Sequence, residues 1–267
     1  MLTVLAAFLR RDFRISISYR ASFALETFYS LFFLALFFYL SRVVNEAEFS
    51  ARQGLSGGYF GYAAVGLALL TIVQVSMSSF SLKLREEQTT GTFEALIATP
   101  ASPSQIVLAS AVYDLLRATL SGLVLIGAAV AIFGLRLELT PASIGTAAVA
   151  LAGCLGLFVA LGVGVAAFTV VIKRTAGLLG MVVTGLALLG GVYFPVEVFP
   201  EPLERVANAL PFTWGLDVLR ASLLGGNVDP AQLAGLFGSA ALLLPIALLG
   251  FTAAVRRARR TGTLAQY

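Results

Sequence analysis

Apolar residues in this chain come in long unbroken runs separated by short polar stretches. Six runs reach or approach the roughly 20 residues a helix needs to cross about 30 Å of hydrocarbon. They lie near residues 22–41, 59–82, 105–133, 143–171, 175–194 and 233–255. None alternates apolar and polar positions as a barrel strand does, and a backbone in lipid must satisfy its own amides, so the pattern predicts an all-α bundle of six transmembrane helices. Two of the polar stretches are more than simple connections. One is a charged insert from Arg85 to Pro100, between the second and third runs. The other joins the fifth and sixth, and its apolar pieces, Leu203 to Leu210 and Trp214 to Leu224, are too short to cross.

Composition agrees with the pattern. Hydrophobic residues make up 58% of the chain and charged residues 12%, and the mean hydropathy is +0.91, outside the soluble globular range. The expected product is a multi-pass protein of the cell (inner or plasma) membrane. Lys and Arg near span ends are held on the cytoplasmic side. With the N-terminus inside, the arginines at 10, 11, 14, 20, 85, 174, 256, 257, 259 and 260 and both lysines, Lys83 and Lys173, fall inside. Arg42, Arg52, Arg136, Arg205 and Arg220 fall outside, and Arg117 lies within a span. The acidic residues Glu46, Glu48, Glu138, Glu197, Glu201, Glu204, Asp217 and Asp229 are all placed outside. Both termini are therefore expected in the cytoplasm. The same rule accounts for the basic pI, and no nucleic-acid partner is needed.

Residues 1–20 predict an amphipathic helix lying in the interface. Leu2, Leu5, Leu9 and Phe13 share one face while Arg10, Arg11 and Arg14 share the other. The apolar stretch precedes the arginines, the reverse of a signal peptide, so the segment reads as mature sequence. Two roles fit it: an anchor that fixes topology, and a sliding gate beside a lateral opening. Arg256, Arg257, Arg259 and Arg260 close the last span as a stop signal.

Candidate chemistry is sparse. The chain has no histidine, which removes most metal sites and the commonest general base. Gly54-Leu55-Ser56-Gly57-Gly58 matches the G-x-S-x-G pattern of serine hydrolases. A serine nucleophile needs a base, and Lys83 and Lys173 are assigned to the opposite side, so 54–58 is expected to be a flexible outer loop. The single cysteine, Cys154, sits among Gly153, Leu155 and Gly156 and reads as a small packing residue. No glycine is followed by lysine, so the chain lacks a phosphate-cradling P-loop. An ion-driven carrier would need a titratable carboxylate or a broken helix near the midplane, and neither is evident. A passive channel or scaffold stays open on composition alone.

The charged insert has internal structure. Gly91 serves as a helix N-cap with Glu94 at the third helical position, where a carboxylate meets free amides and the positive dipole end. Phe93, Leu96 and Ile97 form one apolar patch, and Pro100 ends the helix. Ser102, Pro103 and Gln105 then restart the chain as N-cap, first helical residue and capping-box partner. A short rigid helix over 91–99, bracketed by prolines, is the expectation.

At these residues the chain resembles the permease subunits of ABC transporters, specifically the type 2 exporter permeases. Glu87, Gly91, Thr92, Glu94, Leu96, Thr99, Pro100, Ser102 and Pro103 carry the match. The likeness covers the whole chain in length and span count. It implies a single transmembrane permease domain over 1–267 that lines the route of a drug-like, lipid or lipid-linked glycan substrate moved outward. It also implies that the helix at 91–99 docks on a separate cytoplasmic ABC ATPase, with Glu87, Gly91, Thr92, Phe93, Glu94, Leu96, Ile97 and Pro100 in ATPase coupling. No cofactor is then bound by this chain, and ATP and Mg belong to the ATPase partner. A second matching region runs from Phe194-Pro195 through Pro200, Pro202 and Pro211 to Arg220 and Gly225-Gly226. In the resembled family it is an outer hairpin of half-length helices, here 195–226, which makes Pro195, Pro200, Pro211 and Arg220 gate or hairpin-building residues. Two-fold homodimers dominate among oligomers, so a second identical copy is expected alongside membrane lipid.

Few polar residues lie within the spans. Asp114 and Arg117 are three apart on one helix, near the cytoplasmic interface, and are expected to neutralise each other and transmit motion from the insert. Asp217 and Arg220 have the same spacing. Glu26 sits one turn into the first span, within reach of headgroups. Gln74 fits either a pathway or an interhelical bond. The first span is rich in aromatics, including Phe28, Tyr29, Phe32, Phe33 and Phe37, which fit lipid contact or a pathway. Phe32, Gln74 and Tyr193 are the pathway candidates. Small residues in the fourth and fifth spans allow close helix approach.

Overall fold

The apolar runs form helices in the computed structural model, which describes residues 9–14, 20–89, 103–172 and 176–261. Those helices are α1 (Arg20–Ser41), α3 (Gly58–Thr89), α4 (Pro103–Ala131), α5 (Pro141–Ile172), α6 (Ala176–Leu189) and α9 (Pro230–Thr261). Between α1 and α3 lies α2 (Glu46–Gln53), and between α6 and α9 lie a 3-10 turn (Val196–Val198), α7 (Glu201–Asn208) and α8 (Pro211–Leu224). Among the described residues there is no β-strand. The helix expected over 91–99, with Gly91, Thr92, Phe93, Glu94, Leu96, Ile97 and Pro100, lies outside the described residues, as do 1–8 and 15–19 of the N-terminal segment. Glu87 is inside, because α3 continues through the charged start of the insert to Thr89.

Among the described residues, four helices are long and apolar enough to cross a bilayer: Gly58–Ser79, Val112–Ala131, Pro141–Val170 and Pro230–Ala258. Thr27–Ser41 with Glu46–Gln53, bent by 103° at the break between them, makes a fifth candidate. This is a multi-pass membrane protein. The fifth apolar run is shorter as a helix than its sequence, ending at Leu189 and not near residue 194. The cause is local. Gly191 adopts a left-handed φ of 74°, and the Val192 and Gly191 amides donate back to Ala187 and Leu188, at 3.1 and 3.4 Å, in a Schellman-type stop.

α3 is the central element, with 83% of its most apolar window buried, against 11% for α9. It packs on α1, α4, α5 and α8, and Ala63, Ala64, Val73 and Met77 are fully buried along it. A second core joins α5 to α9 through Val163, Ala166, Val170, Phe251 and Val255. The exposed face of α1 carries Leu25, Phe28, Tyr29, Phe32, Leu36 and Tyr39, a surface suited to lipid or to another chain.

α2 forms in the polar stretch between the first two apolar runs. The Glu48 amide donates to Asn45 Oδ1 at 3.4 Å, and Gly54, with φ 64°, closes the other end. The segment 54–58 is also a correction, because it is pinned, not free. Both the Ser56 amide and its hydroxyl donate to the Leu224 carbonyl, at 2.9 and 2.7 Å, and Leu55 is buried. A serine proton committed to a carbonyl is no nucleophile's proton, which removes the remaining appeal of the hydrolase motif.

Candidate functional site

α7 and α8 form a hairpin of half-length helices. At 8 and 14 residues they span about 12 and 21 Å, short of a bilayer. Prolines shape it: Pro195 is extended (φ −59°, ψ 143°), Pro200 is the N-cap of α7, and Pro211 is the first residue of α8. Each sits where a missing amide and a fixed φ cost nothing. α8 buries one long face against α5, α9 and α3, including Phe212, Leu216, Leu219 and Leu224. Close approach to α5 requires Gly215, where a Cβ would lie 2.4 Å from Cys154 Sγ. Cys154 is a buried packing residue, as expected.

Arg220 is 2% exposed and holds three elements together. Its Nε donates to the Tyr62 carbonyl of α3 at 3.1 Å, and Nη2 donates to the carbonyls of Gly191 and Val192 at 2.9 and 3.1 Å. The guanidinium lies 3.3 Å from the centre of the Tyr62 ring, whose hydroxyl also donates to Gly191 at 2.8 Å. Buried charge is tolerable only with such partners. The expected Asp217–Arg220 pair is a minor contact, at 4.0 Å. Part of Asp217 stays open, yet desolvation pushes its carboxyl up to about 6, against the pull of Arg220 and with the help of Glu197. Thr213 Oγ1, in the first turn of α8, is buried without a hydrogen-bond partner among the described residues.

The Schellman stop of α6 aims the Gly191 and Val192 carbonyls at Arg220, and the next residue opens onto a cavity. This cavity, about 590 Å³, lies between α1, α3, α4 and α6 and reaches Tyr193. Tyr193 is braced there: its ring stacks on Phe37 at 5.6 Å and its carbonyl accepts from Tyr59 at 3.0 Å. The arginine clasp and the cavity wall thus share one turn of chain.

Of the three pathway candidates, Gln74 and Tyr193 line the cavity. Phe32 does not. It is 61% exposed, and the next residue, Phe33, lines the wall instead, because one helical step turns a side chain by about 100°; Tyr29, exposed on the same side of α1 as Phe32, reaches the wall nearly a turn earlier. Asp114 and Arg117 also line the cavity, so the expected transmission pair sits in its wall. Pro195 precedes the 3-10 turn, Pro200 caps α7, Pro211 opens α8 and Arg220 lies within α8. Tyr59, Tyr62 and Gly66 were missed. Their spacing, i, i+3 and i+7, places them on one face of α3 and is the signal that marks them. Gly66 is required there, since a Cβ would lie 2.5 Å from the Val192 carbonyl oxygen and 2.9 Å from Arg220 Nη2.

The structure is thus a helical membrane protein with a partly polar cavity whose wall ends, at Tyr193, next to the carbonyls that Arg220 clasps. The family model of the ABC-2 type transporter matches residues 1–224, and the chain belongs to that family. It is therefore the membrane component of an ABC transporter and not the catalytic subunit. Among curated proteins none matches it.

Proposed function

We propose that this chain is the six-span membrane half of an ATP-driven exporter of the cell membrane, its N- and C-termini in the cytoplasm. It pairs with a second identical copy and with separate cytoplasmic ATPases that hold ATP and Mg. On this reading α6 and the turn after it complete a crossing that is too short as helix alone, which packed protein around the turn makes tolerable. The cavity between α1, α3, α4 and α6 is the cargo's route, and the hairpin is its outer gate. The observation that carries this reading is the clasp: Arg220 bonds the two carbonyls immediately before Tyr193, so lifting α8 and reshaping the cavity mouth are one movement.

Drive would enter through the insert at 85–100. Membership of the ABC-2 family supports a partner ATPase, since such permeases generally work with one. The residues assigned to docking are Glu87, Gly91, Thr92, Phe93, Glu94, Leu96, Ile97 and Pro100. Asp114 and Arg117, in the cavity wall on the helix that follows the insert, would relay its motion. Glu94→Arg tests the coupling. The variant should insert normally and keep basal ATPase activity of the partner, while stimulation of that ATPase and transport in proteoliposomes both fall at least tenfold. Unchanged transport would remove the docking role.

A further inference from the structure

The three hydroxyls that α3 contributes to the cavity wall have a consistent character. Thr71, Ser78 and Ser79 commit their hydroxyl protons to their own helix, Thr71 to Leu67 at 2.9 Å and the two serines to Val75 at 3.1 and 2.6 Å. What each has left is a lone pair, an acceptor. Gln74, exposed on α3, makes no hydrogen bond to the other described residues, so its amide is available as acceptor and donor. Thr184 adds a hydroxyl from α6. Among the described residues the wall's formal charges are one acid and one base, Asp114 and Arg117, which sum to zero. The rings of Tyr29, Phe33 and Tyr193 supply apolar faces.

A ligand with unbalanced charge would give up hydration here without a net counter-charge, which is unfavourable in a site walled by protein and lipid. A neutral ligand rich in O–H or N–H donors would meet acceptors already placed. The lining of α3 from Leu67 to Ser79 runs about 18 Å at 1.5 Å per residue, and the volume of about 590 Å³ falls among small-molecule sites of roughly 300–1,000 Å³. We propose that the cavity binds uncharged amphiphiles bearing several hydroxyl or amide donors on an apolar ring or chain, in preference to cationic or anionic amphiphiles with the same apolar part. This deepens the exporter reading and rests on the cavity being the cargo's route.

The test uses the full chain in lipid nanodiscs, with no ATPase and no nucleotide. Octyl glucoside, octyltrimethylammonium and octyl sulfate are titrated calorimetrically below their micelle-forming concentrations, and the heats of empty nanodiscs are subtracted. Octyl glucoside should bind saturably and at least tenfold more tightly than either charged probe. Gln74→Leu and Thr184→Val, on different helices and close to the native volumes, should each weaken octyl glucoside at least threefold. If one variant does not fold, the other decides. Equal or tighter binding of a charged probe, no saturable glucoside binding, or wild-type affinity in every folded variant would overturn the proposal. Because nothing in the titration hydrolyses ATP, its failure leaves the Glu94→Arg test of coupling intact, and the failure of that test leaves the titration intact.

Discussion

Arg220 concentrates the energetics of the hairpin in a single side chain. A guanidinium has donors in a rigid fork, and here they reach carbonyls on two separate elements, α3 and the turn after α6. A lysine is a single point of charge and cannot serve both directions. Charged hydrogen bonds contribute about 1.5–3 kcal/mol each, and neutral ones about 1 kcal/mol. Arg220→Leu should therefore lower stability by about 3 kcal/mol or more, Tyr62→Phe by about 1 kcal/mol, and Arg220→Lys by an intermediate amount. Apparent melting temperatures of the purified variants in detergent rank the series, and a flat ranking would deny the clasp any structural weight. The arginine was visible in the sequence as a charge in an apolar stretch. Its acceptors were not, because Tyr62, Gly191 and Val192 lie far from it along the chain and are backbone groups that any residue carries.

The hairpin is the element whose movement the proposed function requires. The chain's only cysteine lies beneath it, buried on α5 where Gly215 of α8 passes. A small thiol reagent should label Cys154 slowly in the resting protein. With an ATPase partner held in its nucleotide-closed state, the labelling rate should rise at least tenfold as α8 lifts. No change in rate, with closure confirmed on the partner, would mean that α8 stays in place during the cycle. The hairpin was legible as two apolar pieces too short to cross, flanked by prolines. The pinning of 54–58 to its end was not, since Ser56 meets Leu224 only after α3 and α8 have packed.

At the scale of the whole molecule, the expected arrangement has an even number of crossings with both ends on one side. In a Cys154→Ala background, Glu94→Cys should react with a membrane-impermeant thiol reagent only from the cytoplasmic side. Glu204→Cys, on the exposed α7, should react only from outside. Both cysteines reacting from one side would overturn the topology and the coupling scheme with it.

The sequence by itself determined the apolar runs, the helical class and the short hairpin helices, because a helix in lipid closes its hydrogen bonds locally and so writes its length and its prolines into consecutive residues. Packing alone decided which side chains face the cavity. Phe32 and Phe33 are neighbours of identical chemistry, and only the rotation of α1 against α3 turns one outward and the other in. The early stop of α6 lies between these cases: Gly190-Gly191 was there to be read, but the use of the freed carbonyls depended on Arg220 arriving from another helix.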